Sequence, residues 1–255
     1  MSQLAIIYRK ELLETWRNRK WIWIPLVFIL MGVMQPISTY FMPQILKMST
    51  MPAGTVIQIP TPSGAETVVK ALSQYNLIGL LVLVLAFMGS VSGERQHGVL
   101  QLVMVKPVSF TMYVLAKWLS SVSVSLVSLL LGYVATWYYT EQLVGRVPFL
   151  RILSSGAVYA LWILLVLALT IMLSSLFDSA MATAFIALAG AALLSVFTSL
   201  FHIQWSPGNI PSMAEQLVLA GKADSGFVAS MLITVALVGV FLALAAWVFQ
   251  RRDVV

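Results

Sequence analysis

Catalysis by side chains alone needs a nucleophile with its base, a pair of carboxylates, or a cluster of metal ligands. The stock for such work is thin: two histidines, nine carboxylates and no cysteine in 255 residues. His97 and His202 fall in segments expected on opposite sides of a membrane, so they share no site. There is no H-E-x-x-H, and no pair of aspartates lies within an apolar run, which removes the usual intramembrane protease patterns. The G-x-x-x-x-G-K-[ST] loop is also missing; Gly221-Lys222 lacks the earlier glycine. Without cysteine there is neither a disulfide framework nor a thiolate site. The expectation is a protein that is not an enzyme, with no catalytic, cofactor-binding or metal-binding residues of its own.

One stretch does have something to offer a partner. Gly93–Lys117 reads GERQHGVLQLVMVKPVSFTMYVLAK, polar at both ends, apolar in the middle and broken at Lys106-Pro107. It lies between the apolar runs Tyr75–Ser92 and Tyr113–Tyr139. If both runs cross a membrane, this segment leaves the bilayer and returns on one side, exposing a short amphipathic piece.

The composition places those runs in a membrane. The chain is 60% hydrophobic and 9% charged, against about 25% charged residues in soluble domains. The net charge of +6 is expected to face anionic lipid beside the spans, with no nucleic acid as partner. Met1–Lys20 is too charged to read as the start of a secretory signal, so the first span is expected to be retained. In that segment Leu4, Ala5, Tyr8, Leu12, Leu13 and Trp16 share one helical arc, while Lys10, Glu11, Glu14, Arg17 and Asn18 share the other. This predicts an amphipathic helix over residues 1–20 lying in the membrane interface.

A single six-span domain follows over residues 21–255, with spans at about 21–41, 75–92, 113–139, 150–176, 180–201 and 227–249. Each is near the roughly 20 residues that cross the hydrocarbon layer. Pro25 falls in the first turn of its span, where a missing N–H costs little, and Pro36 predicts a kink. Trp21, Trp23, Tyr40, Trp137, Tyr138, Tyr139, Trp205 and Trp247 stand near run ends, as an aromatic belt requires. An even number of spans puts both termini on one side. That side carries ten lysines and arginines against five on the other, which places the termini and the Gly93 segment in the cytoplasm of a multi-pass cell-membrane protein.

The outer loops predict two short helices on the far leaflet. Ser63 and Glu66 have capping-box spacing, and Ser212 and Glu215 repeat it after Pro211, with Gly221 as a stop. Within the spans, Ser121, Ser125, Ser128 and Gly132 form one small-residue stripe and Ala180, Ala184, Ala187 and Ala191 another, as close helix packing requires. No span carries an ionisable residue at mid-depth, and Lys117 is expected to snorkel to the cytoplasmic edge.

The order of these features resembles a known family. Arg9-Lys10-Glu11 precedes a first span, a second span runs into Gly93-Glu94-Arg95-x-x-Gly98-Val99-Leu100, and Lys106-Pro107-Val108-Ser109 and Lys117 follow. With the short Leu173–Ser179 turn (LSSLFDS) between spans four and five, this looks like the membrane-spanning permease of a type-2 ATP-binding-cassette (ABC) exporter. The resemblance implies an all-α integral membrane protein with a cytoplasmic coupling helix between spans 2 and 3. It implies that Glu94, Arg95 and Gly98 open that helix, that Leu100, Leu102 and Val103 seat it on a separate P-loop ATPase subunit, and that Glu11 and Trp16 lie beside the contact. ATP would be bound by that partner, and a second permease would complete a homo- or heterodimer. Two other readings stay open on the residues alone: a membrane adaptor or regulator that anchors an ATPase, and a stand-alone channel or carrier for a small solute. The sequence leaves the substrate and the direction of transport open.

Overall fold

The computed structural model describes residues 3–48, 62–96, 109–222 and 226–252. Among these residues every regular element is a helix. That follows from the hydropathy: in a hydrocarbon layer each backbone N–H and C=O must find its partner within the segment, and an isolated helix does this. Six stretches are long and apolar enough to cross a membrane: Lys20–Gln44, Gly64–Gln96, Phe110–Leu143, Phe149–Leu176, Ala180–Phe201 and Phe227–Arg251.

The N-terminal helix α1 (Gln3–Arg17) turns into α2 (Lys20–Met48) through Arg19, which takes the left-handed φ of 55°. Helix α2 contains Pro25, Pro36 and Pro43 and continues through all three. The second span is built from α3 (Gly64–Gln74), a π-helical turn at Tyr75–Gly79, α4 (Leu80–Phe87) and the short α5 (Ser92–Gln96). Then come α6 (Phe110–Leu143), α7 (Phe149–Leu176) and α8 (Ala180–Phe201). A 3₁₀ turn at Pro207–Asn209 leads into α9 (Ile210–Ala220), and α10 (Phe227–Arg252) ends the described chain.

Both outer helices differ from the sequence expectation. The Ser63–Glu66 capping box forms in full, with Ser63 N–H donating to Glu66 at 2.8 Å. Yet α3 does not lie apart on the leaflet; it passes through the π turn into α4 with helical backbone at Gln74, Tyr75 and Leu80. No glycine or proline stands between Gly64 and Gly79 to stop it. At α9 the cap is Asn209, and Ser212 lies inside the helix with its hydroxyl donating to the Asn209 carbonyl at 2.8 Å. The 3₁₀ turn moves the helix start back by one turn, so Glu215 is free to reach Ser73 of α3 instead (3.0 Å). Gly221 closes α9 in the left-handed conformation, as expected of that stop.

Helix α7 is the centre of the bundle, packed against α4, α6, α8, α9 and α10. Helices α2 and α6 form the other main contact, and the small-residue stripe of α6 explains it. Ser121, Ser125, Ser128 and Gly132 are all buried, and the serine hydroxyls turn back onto their own helix, Ser125 to the Ser121 carbonyl at 2.8 Å and Ser128 to Val124 at 2.7 Å. A Cβ at Gly132 would stand 2.8 Å from the Tyr75 hydroxyl and 2.9 Å from the Phe28 carbonyl, so only glycine admits that approach. Tyr75 is held there by Phe28 and Tyr133 stacked on its two sides, with ring centroids 5.4 and 5.6 Å away. On α8, Ala184, Ala187 and Ala191 are buried and Ala180 is half-buried. Most of α8 and α10 faces outward: only 22% and 17% of their apolar windows are buried within the chain.

Candidate functional site

The second span ends in two adjacent residues of opposite charge, Glu94 and Arg95, and the fold sends them to opposite sides. Glu94 turns to α6 and α1. One carboxylate oxygen accepts from Lys117 at 2.9 Å and from Lys10 at 3.0 Å, and the other accepts from the Tyr113 hydroxyl. Glu11 of α1 completes a ring, taking Lys117 at 3.1 Å on one oxygen and Lys10 at 3.2 Å on the other. Two ammonium groups and two carboxylates thus alternate. The Lys117 ammonium also stands 5.0 Å from the centre of the Tyr113 ring.

Arg95 turns to the junction of α7 and α8. Its guanidinium donates to Asp178 at 2.9 Å and to the Ser175 carbonyl at 3.4 Å. Gln96 donates to the Asp178 carbonyl at 2.8 Å. Behind them the Ser174 hydroxyl accepts from the backbone N–H groups of Val91 and Ser92, each at 3.1 Å. The short LSSLFDS turn is therefore the receptor for the end of the second span. Helix α10 closes the same end of the bundle, with Phe249 stacked on Tyr113 at 5.1 Å, so both ends of the described chain lie together.

The expectation that Lys117 snorkels is not met. Its side chain is 2% exposed, seven residues inside α6, and it is neutralised by Glu11 and Glu94 at 7% and 10% exposure. Desolvating an ion costs several kcal/mol unless its partners are close and fully bonded; here a second carboxylate from a distant part of the chain makes inward burial workable. Lys10, at the edge of the ring, has its ammonium penalised by burial, but the carboxylates of Glu11 and Glu94 outweigh this and hold its pKa above the ordinary lysine value. Glu11, Glu14 and Glu94 bring carboxylate oxygens within 4.8 Å of one another, and Lys10 and Lys117 already hold the position between them that a cation would take.

Helix α1 also sits differently from a simple interfacial helix. The face that packs on α6 cuts across both arcs: Glu11 and Thr15 are buried and Tyr8 of the apolar arc shares a 2.7 Å hydrogen bond with Ser123, whereas Lys10, Arg17 and Asn18 of the polar arc are exposed. The apolar Ile6, Leu13 and Trp16 are exposed, Trp16 at 62%. The amphipathic pattern was legible, but the inward face could be chosen only once Lys117 was in place.

Of the residues expected to seat an ATPase, Glu94 and Arg95 are therefore bound within the chain. Gly98, Leu100, Leu102 and Val103, like His97, lie outside the described residues. Lys10, Tyr113, Lys117 and Asp178 belong to this site, although sequence reasoning named Lys10, Lys117 and Asp178 only as parts of the family pattern and did not bring the four together. The available signal was Lys117, the one basic residue inside the apolar run Tyr113–Tyr139.

Comparison with known proteins agrees with this architecture. Residues 5–254 match the family described as ABC-2 family transporter protein. The chain is also similar to a Bacillus subtilis (strain 168) protein called uncharacterized transmembrane protein YxlG, 32% identical over 256 residues that cover 99% of both chains. Six apolar spans, both ends of the described chain together, and a family match over nearly its whole length make this protein a multi-pass membrane member of the ABC-2 transporter family.

Proposed function

We propose that the chain is the transmembrane permease subunit of an ABC exporter, coupling ATP hydrolysis by a separate P-loop ATPase to movement of a substrate across the cytoplasmic membrane. The family implies an ATPase partner and a membrane setting. In this reading two permeases pair, the ion-pair end of the bundle is cytoplasmic, and ATP is bound by the ATPase alone, with no catalytic group supplied by the permease.

The observation that carries the reading is the divergence of Glu94 and Arg95. The segment after Gln96, where a coupling helix is expected, leaves from a point tied to α1 and α6 through Glu94 and to the α7–α8 turn through Arg95. A force applied there by a closing ATPase reaches four helices at once. Because the Glu94–Lys117 tie is buried and the ties of Lys10 and Arg95 are hydrogen-bonded, the elements move as bodies rather than deforming. The free energy comes from differential binding of the ATPase states, not from this chain.

The test is a pull-down of the tagged protein in mild detergent, with and without a non-hydrolysable ATP analogue. A stoichiometric P-loop ATPase is the expected partner. Clean recovery of the permease with no ATPase in either condition would return the stand-alone channel or carrier to first place.

A further inference from the structure

At the end of the bundle opposite the ion pairs, a cavity of about 460 Å³ opens between the π turn, the last turns of α8, the 3₁₀ turn and α9. Polar side chains stand in its wall, Asn76, Ser195, His202, Asn209 and Glu215 among them. An apolar groove of about 360 Å³ adjoins it, lined by Leu77, Leu81, Trp162, Leu188 and Val196. The two spaces share Asn76 and Ser195. Both volumes fall in the range of about 300–1,000 Å³ typical of small-molecule sites. A chamber with polar side chains in its wall that continues into an apolar groove is complementary to a molecule with one polar and one apolar end.

The charge selects the polar end. Glu215 is the one acidic residue in the lining, and no lysine or arginine joins it there. Its carboxylate receives a single hydrogen bond, from Ser73 at 3.0 Å, and makes no ion pair among the described residues. An incoming cation would supply the missing charge, whereas a phosphate or carboxylate head would meet Glu215 with no lysine or arginine in the lining, the His202 imidazole being its one basic side chain. Asn76 adds a second preference. Trp162 donates to its side-chain oxygen at 3.0 Å, which leaves the amide N–H groups without a partner among the described residues and able to donate to a hydroxyl or carbonyl oxygen. Asn76 stands in the π-helical turn, and such turns recur at functional sites because the extra residue displaces side chains from the regular helical register.

We propose that chamber and groove together bind an amphiphile with an ammonium head and a hydrocarbon tail, the head against Glu215 and Asn76 and the tail along Leu77, Leu81 and Leu188. Binding at this site does not require the ATPase. That the bound amphiphile is the exported cargo rests on the permease reading above.

The experiment is photolabelling of the purified protein in dodecyl maltoside, without ATPase, by a decylamine bearing a diazirine at the tail end. Labelled peptides are mapped by mass spectrometry. Saturable labelling is expected in the second span and α8, competed by decylamine but not by decanoate or ethanolamine. Glu215→Gln keeps the size of the side chain and should lower the saturable labelling about tenfold, the scale of one charge-assisted contact. Ala192→Trp, on an exposed position of α8 that lines the groove, should abolish tail labelling while the protein remains monodisperse. Even labelling over all lipid-facing helices, equal competition by decanoate, or no change in both variants would overturn the proposal. None of these outcomes bears on whether an ATPase co-purifies, so the two readings fail separately.

Discussion

Lys117 and Glu94 lie 2.9 Å apart with side chains 2% and 10% exposed, joining the start of the third span to the end of the second. Breaking a buried pair by removing one partner costs about 3–5 kcal/mol, because the remaining charge is left without compensation. Lys10 also reaches both carboxylates, so the lower end of that range applies. Lys117→Met is therefore expected to lower the melting temperature in detergent clearly. The double variant Glu11→Gln/Lys117→Met should recover part of the loss, since it removes one stranded charge. A single variant that melts with the wild type, measured by thermal size-exclusion chromatography, would show that the ring adds nothing to stability.

Arg95 and Asp178 offer the complementary test of coupling. Their contact is 2.9 Å, but Asp178 is 66% exposed, and exposed ion pairs contribute about 0–1 kcal/mol. Asp178→Asn should leave the melting temperature close to wild type. If the α7–α8 turn receives motion through Arg95, the same variant should still bind the ATPase yet lose most of the permease's effect on its hydrolysis rate. Unchanged hydrolysis in the reconstituted complex would remove Arg95 from the coupling path.

Glu215 predicts a pH dependence. Burial raises its pKa above the ordinary carboxylate value of 4.5, against the opposing hydrogen bond from Ser73. A raised folded-state pKa means that the folded chain holds the proton more tightly than the unfolded chain. The contribution is then fully present below the unfolded value and is lost as pH rises through the folded one. Glu215→Gln should track the wild type below about pH 4.5 and become relatively more stable as pH rises above it. Melting curves across that window decide the matter; a constant difference would place the carboxyl in full contact with water.

Orientation can be read directly because the chain has no cysteine background. Lys70 and Gln216 are exposed on α3 and α9, and Glu14 is half-buried on α1 at the other end, its side chain 45% exposed. Cysteines at Lys70 and Gln216 are expected to react with an impermeant thiol reagent added to whole cells, and one at Glu14 only after lysis. The reverse pattern would invert the assigned topology. Gly64 is a poor site for this purpose, since a side chain there would stand 2.7 Å from the Gly145 carbonyl.

The sequence by itself determined the class of this protein, its all-helical character and its six spans. Composition and hydropathy are local quantities, and the hydrocarbon layer turns them directly into helices. The capping box at Ser63 and the stop at Gly221 were legible for the same reason: each depends on residues three or four apart. Close packing at Gly132 could also be read, from the small residues at helical spacing.

Tertiary structure alone decided where the charges go. Glu11, Glu94 and Lys117 are separated by 106 residues from first to last, and nothing local distinguishes a lysine that snorkels from one that turns inward to distant carboxylates. The start of α9 was decided by a 3₁₀ turn that moved Glu215 away from its expected cap and onto Ser73. In both cases an ionisable side chain within reach of a membrane takes the strongest partner the fold provides, and that partner comes from another helix.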